Sequence, residues 1–408
     1  YRPARVISYN KESGELVLHN YMDFDDLKDY VKISYELTQD GLVISKGKLP
    51  EVSAAPHSDG KINLKINVPE SGKCYLKFIY NLKKELPLLD EDYILGFDEI
   101  EVSKDDAKCK LAEKWLQKTG VDSELQVKEN DTQIHIKGRE FAYTIDKRTA
   151  LFTEMKFAGR EYLNHPMELN IWRAPTDNDM YIKAEWKKAH YDKAYTRAYT
   201  TEVVQGKHGV KIVSHASVVA ETVQKILDVT ITWKIDASGK IDADIEATKD
   251  GEFPDLPRFG VRMFLDKKLS DARYFGMGPQ ESYRDKHQAA SHGLYRANVG
   301  DLHEDYIRPQ ENGSHYDCEY VELNNSRYGI VASAENAFSF NASYYTQEEL
   351  EKKTHNYELI ESDSVVFCVD YALNGIGSNS CGPVVLEQYR FDDVLFRFQF
   401  TLIPYVKG

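Results

Sequence analysis

Residues 228–247 read DVTITWKIDASGKIDADIEA. Val229, Ile231, Trp233 and Ile235 alternate with polar residues, Ser238-Gly239 supplies a turn, and Ile241, Ala243 and Ile245 return in the same rhythm. Apolar residues at every second position fit a strand with one buried face, and a Gly-containing turn between two such runs fits a hairpin. The segment TQIHIKGREFAYTIDKRTALFTEMKFAGREYL, residues 132–163, continues the pattern as consecutive strands. Strand and helix nowhere alternate in βα units, so neither a TIM barrel nor a Rossmann sheet is expected. Residues 128–408 therefore predict one large β-sandwich. One helical candidate interrupts it, from Ile182 to Tyr195 around Trp186.

The first hundred residues carry the same period in shorter pieces. Val31, Ile33, Tyr35 and Leu37 alternate before Asp40-Gly41, a tight hairpin signal. Ile62, Leu64, Ile66 and Val68 repeat the pattern, then a Pro/Gly turn leads to Cys74, Leu76 and Phe78. A small β-sandwich is expected at 1–105. The charged stretch DDAKCKLAEKWLQKTGVDSE breaks the alternation and reads as a short helix or a linker, placing a boundary at 106–127.

The formal net charge of −14 over 408 residues disfavours nucleic acid and anionic membrane surfaces as partners, because both need a basic face. No apolar run is long enough to span a bilayer. The five cysteines (Cys74, Cys109, Cys318, Cys368 and Cys381) are odd in number and widely spaced, which argues against a disulfide framework and a zinc knuckle. The histidines are scattered, and His303-Glu304-Asp305 lacks the i, i+4 pairing of a metal motif, so no metal ligand is named. The compartment stays open. The start at Tyr1 rather than Met reads as a cut inside a longer protein.

Three stretches of the larger domain gather polar groups beside Gly and Pro: NIWRAPTDNDM at 170–180, YFGMGPQESYRD at 274–285 and YIRPQENGSHYD at 306–317. Arg173, Asp177, Asn178, Asp179, Glu281, Arg308, Glu311 and Asn312 are their candidate residues. Two readings stand side by side. Asp and Asn bond their own backbone in turns and Arg–carboxylate pairs fix loops, which makes the cluster structural. Convergent planar polar groups beside aromatic faces such as Trp172, Tyr274 and Tyr306 also make a sugar site.

In that order and spacing, the three stretches resemble the C-terminal part of family 2 glycoside hydrolases of the β-galactosidase type. HNYMDFDDLKDYVKISYELTQDG resembles the small sandwich before that part, and LNGIGSNSCGPVVLEQY resembles its last section, so the resemblance covers essentially the whole chain. It implies an all-β protein: an immunoglobulin-like sandwich followed by a galactose-mutarotase-like supersandwich. The family is retaining and hydrolyses β-galactosides with two glutamates in a (β/α)8 barrel. The barrel is missing from this sequence, so no catalytic residue is named and the chain alone is expected to be inactive.

The resemblance further implies that the N-terminal and catalytic domains of the same protein are partners, that a β-galactoside or other carbohydrate is the ligand, and that the full-length enzyme is a homo-oligomer. Family members often use magnesium and sodium near the barrel; no cofactor is expected in this chain. In well-studied members a tryptophan near the C-terminus stacks on the sugar or its leaving group. The matching position here is Cys381, which offers no aromatic face. Asn379 and Ser380 are expected to take over polar contacts around it. The alternative function is a stand-alone carbohydrate-binding or aldose-epimerase-like module, with Glu281, Glu311 and a histidine such as His292 as acid and base.

Overall fold

The computed structural model describes residues 2–103 and 124–407. The expected helix or linker at 105–124, with Cys109, lies outside them except for Glu124. The described residues form two compact units, one of residues 2–103 with His292–Leu294 and one of the rest of 124–407.

The smaller unit is a sandwich of two antiparallel sheets. One pairs Ala4–Tyr9, Glu15–Asn20 and Asp59–Asn63; the other runs Leu42–Lys48, Val31–Gln39, Cys74–Leu82, Ile94–Ser103. Leu16 and Leu18 of the first sheet and Ile33, Leu37, Leu76 and Phe78 of the second share one core. The Asp40-Gly41 turn is borne out: both residues have positive φ, 48° and 79°, the geometry that joins twisted strands with a two-residue loop. The expected strand through Val68 stops at Asn63. Its partner strand begins at Glu15, and at Gly14 (φ 77°) the chain turns away, so nothing continues the ladder past the Leu64 N–H, which bonds the Gly14 carbonyl.

The larger unit sets a five-stranded sheet (Arg160–Glu161, Leu151–Phe157, Phe141–Asp146, Gln133–Lys137, Gln126–Glu129) and a twelve-stranded one around one core. The opening hairpin is borne out: Leu227–Asp236 pairs with Ile241–Lys249, with Trp233 opposite Ala243. Trp233 fastens the layers together. Its ring packs edge-on against Phe152 of the smaller sheet at 4.9 Å, and its indole N–H donates to the Ala150 carbonyl at 2.8 Å.

The expected helix to Tyr195 ends at Lys188. His190 adopts left-handed backbone (φ 57°), and Tyr191 turns inward so that its hydroxyl donates to the Pro254 carbonyl at 2.7 Å. A second helix, Gln347–Lys352, escaped notice although Thr346 caps it by accepting the Glu349 N–H at 3.1 Å. The Thr-x-x-Glu signature was there to be read.

Three neighbouring strands of the large sheet bring their ends together. Asn170, the last residue of Leu163–Asn170, lies opposite Gly260, and Arg258, the first residue of Arg258–Asp266, lies opposite Leu373, the last of Ser364–Leu373. The segments that follow Asn170 and Leu373 therefore leave the sheet side by side.

Candidate functional site

Arg173 lies at this end and is fully buried. Its guanidinium meets the Asp179 carboxylate through Nη2 at 2.7 Å and Nε at 3.2 Å, and donates to the carbonyls of Asn374 and Gly375, the latter at 3.1 Å. Asp179 closes a capping box, accepting the Thr176 N–H at 2.9 Å. A rigid turn at 173–179 thus holds the main chain of 374–375. The planar fork of arginine suits this, reaching a carboxylate and two carbonyls at once.

Beneath it sits a second buried set. Arg258 donates to Asp370 at 2.6 Å and to Glu311 at 2.9 Å, all three with side chains at most 1% exposed. The other Glu311 oxygen accepts the Ala174 N–H at 3.0 Å. Removing an ion from water is expensive, so buried charges persist where they are paired and hydrogen-bonded. Neither Arg258 nor Asp370 was singled out from sequence. For Asp370 a signal was present, as the one charge in the strand SVVFCVDYAL; Arg258 opens the strand RFGVRMFLD, which also carries Arg262 and Asp266, and does not stand out there.

Glu281 anchors the remaining loops. It accepts from Lys286 at 2.5 Å, from the Tyr283 hydroxyl at 3.2 Å, from the Gly313 N–H at 3.0 Å and from the Tyr306 hydroxyl. Burial works to raise its pKa, but Lys286, Tyr306 and Gly313 outweigh burial and hold the carboxyl below its ordinary value. Asn312 accepts the Glu304 N–H at 3.0 Å and donates to the Gln310 carbonyl at 2.9 Å. Glu281 and Glu311 are both committed to partners within the fold, which leaves the epimerase alternative without a free carboxylate from that pair.

The exposed rim above these groups consists of different residues. Asn178 donates to the Gly377 carbonyl at 2.6 Å and accepts from the Ser380 hydroxyl at 3.0 Å. Asp285, which sequence reasoning passed over, accepts the N–H groups of Ile376 and Gly377 at 2.9 and 2.7 Å. The 376–381 loop is therefore gripped from both sides. Cys381 is exposed at its tip and Asn379 is half-buried beside Ser380. Asp177 is exposed and accepts from Gln310 at 3.5 Å. Arg308 is exposed, and no partner for its guanidinium occurs among the described residues. The loops thus divide: Arg173, Asp179 and Glu311 are sealed inside, while Asp177, Asn178, Arg308, Ser380 and Cys381 stand on the rim. Among the described residues no group of three or more His, Cys, Asp or Glu is placed to hold a metal ion.

A two-sandwich chain with polar loops bound together at one end of its large sheet defines an all-β protein whose sheets carry a loop platform. Residues 137–402 match the beta galactosidase small chain, and residues 16–103 match domain 4 of beta-galactosidase. The chain belongs to the beta-galactosidase small chain family and corresponds to a C-terminal β-galactosidase region. It is 41% identical over 404 residues to the beta-galactosidase of Actinobacillus pleuropneumoniae, covering 98% of this chain and 39% of that protein. It is 30% identical over 407 residues to that of Staphylococcus xylosus, covering 98% and 40%. The chain thus spans about two-fifths of the length of the curated relatives it matches. A galactose 1-epimerase from Lactobacillus acidophilus superposes with a TM-score of 0.38 at 9% identity, over 71% of this chain and 100% of the epimerase, too loosely to carry an argument.

Proposed function

We propose that this chain is the non-catalytic part of a retaining β-galactosidase that hydrolyses terminal β-D-galactosides. In this reading the two carboxyl groups of the reaction lie in a barrel outside this chain. One forms a covalent glycosyl intermediate as the other protonates the leaving oxygen; the second then takes a proton from the water that releases the sugar. The chain buttresses the barrel and presents the 376–383 loop to the aglycone, the group that leaves.

One observation carries the loop assignment. Asn178 and Asp285 fix the 376–377 backbone from opposite sides, with Asn178 also holding Ser380, so an exposed tip is held on a rigid base. Preorganised contacts of this kind favour binding because little order remains to be imposed. Val384 and Leu386 follow the loop at 59% and 61% exposure and suit contact with a further domain.

The test is kinetic. In the assembled enzyme, Asn178→Ala is expected to raise KM for bulky aglycones several-fold and leave free galactose inhibition unchanged. Equal loss for all aglycones and for galactose would remove the loop from the aglycone side.

A further inference from the structure

Several exposed apolar side chains of the larger unit sit on segments that are bonded to one another through the polar rim. Ile307 and Tyr357 are 78% and 80% exposed. Asn356 joins their segments, donating its backbone N–H to the Ile307 carbonyl at 3.0 Å and its side-chain NH2 to Asp305 at 2.9 Å. Tyr357 is held in place, with its ring stacked on His355 at 5.2 Å between centroids. Three residues after Ile307, the Gln310 side chain accepts the Asp177 N–H at 3.2 Å. Met180 and Tyr181, both exposed, follow that turn directly.

Asn178 ties the same turn to Gly377 and Ser380, and Val384 and Leu386 follow that loop. Val385 between them packs inward: a Cβ added at Gly375 or Gly377 would meet its methyl carbons at 2.9 and 2.6 Å. Its two neighbours are exposed. Single surface hydrophobics are ordinary, but a linked set beside polar groups marks a contact surface. Exposed tyrosines among aliphatic side chains also match the composition of interface cores.

Two observations say what covers this face. The curated relatives extend well beyond this chain, which spans about two-fifths of their length, so a large body remains to be placed. The face is also continuous with the 376–383 loop, and a loop that reaches a barrel's active site brings its neighbours against the barrel. We infer that Met180, Tyr181, Ile307, Tyr357, Val384 and Leu386 form the docking surface for the barrel-bearing part of the same enzyme. The inference rests on the function proposed above and adds to it the side chains that make the contact.

Calorimetric titration of the chain with the barrel-bearing remainder tests this. Ile307→Ala combined with Tyr357→Ala is expected to weaken association at least about tenfold, as loss of large interface anchors does. The urea midpoint of the chain alone should stay where it is, since both side chains are exposed. Val384→Ala combined with Leu386→Ala, on a different segment, is expected to weaken association in the same way. Tyr199→Ala combined with Val204→Ala is the control. Those two are also exposed but lie on the edge strand Tyr195–Gln205, which makes none of these hydrogen bonds, and the variant should associate as the parent does. Parent-like association of both docking variants, or equal weakening in the control, would overturn the inference and leave the proposed function standing. A parent chain that does not bind the remainder would overturn both. A parent chain that is dimeric alone and monomeric as the Ile307/Tyr357 variant would assign the face to a second copy instead.

Discussion

Arg173 and Asp179 meet at 2.7 Å with side chains 0% and 3% exposed, six residues apart in one turn. The pair fixes the turn, and through Asn374 and Gly375 it fixes the start of the exposed loop. Removing one partner of a buried pair strands the other. Arg173→Ala should therefore destabilise the larger unit by about 3–5 kcal/mol. Asp177→Ala, two residues before Asp179 but exposed, should stay within about 0.5 kcal/mol of the parent. Urea unfolding of both separates the sealed hub from the rim. A mild effect at Arg173 would show the hub to be dispensable.

His315 predicts acid sensitivity. It lies between Tyr274 and Phe340, and burial pushes its pKa down to about 4, outweighing the Met277 carbonyl and Glu281, which pull it up. An unfolded histidine takes its proton near ~6.5. Between those values the unfolded chain holds more protons, so stability falls as pH drops from about 6.5 to about 4, by a few kcal/mol at most. His315→Phe should flatten that part of the stability profile. Glu281 acts lower on the scale: its depressed pKa gives stability present above ~4.3 and lost as pH falls towards the folded value. Glu281→Gln should remove that lower limb. An unchanged His315→Phe profile between pH 4 and 6.5 would show the imidazole to be solvated.

Cys381 is exposed, whereas Cys74, Cys318 and Cys368 are buried. Thiol reagent on the native chain should modify Cys381 rapidly, and Cys381→Ser should lower the fast-reacting count by one. In the assembled enzyme Cys381→Trp should restore an aromatic face. Stacking of about 0.5–1.5 kcal/mol corresponds to a roughly 2–10-fold lower KM for an aryl β-galactoside. Lactose, with a saccharide aglycone, serves as the comparison. No change with either substrate would place the tip away from the aglycone.

The strand architecture was legible because one-sided burial imprints period 2, as at Val229–Ile235, and because Asp40-Gly41 carries the composition of a tight turn. The misread ends had tertiary causes. The strand past Asn63 lost its partner where Gly14 turned, and the helix past Lys188 yielded to the burial of Tyr191. The polar residues of the site were legible as a set, but their division was not. Sequence does not show that Asp179 faces Arg173 while Asp177 faces Gln310, since two residues of turn geometry separate them. Asp285, Arg258 and Asp370 were missed because their partners are up to 112 residues away. For Asp370, a lone charge within an apolar strand was the available sign.

In the function proposed, this chain completes a β-galactosidase and carries no catalytic pair of its own. Hydrolysis of a chromogenic β-galactoside tests it, measured on the chain alone and after mixing with the barrel-bearing remainder of the enzyme. No turnover is expected from the chain alone, and activity is expected from the mixture. Hydrolysis by the chain alone would contradict it and would mean that a carboxylate pair among these loops does the chemistry.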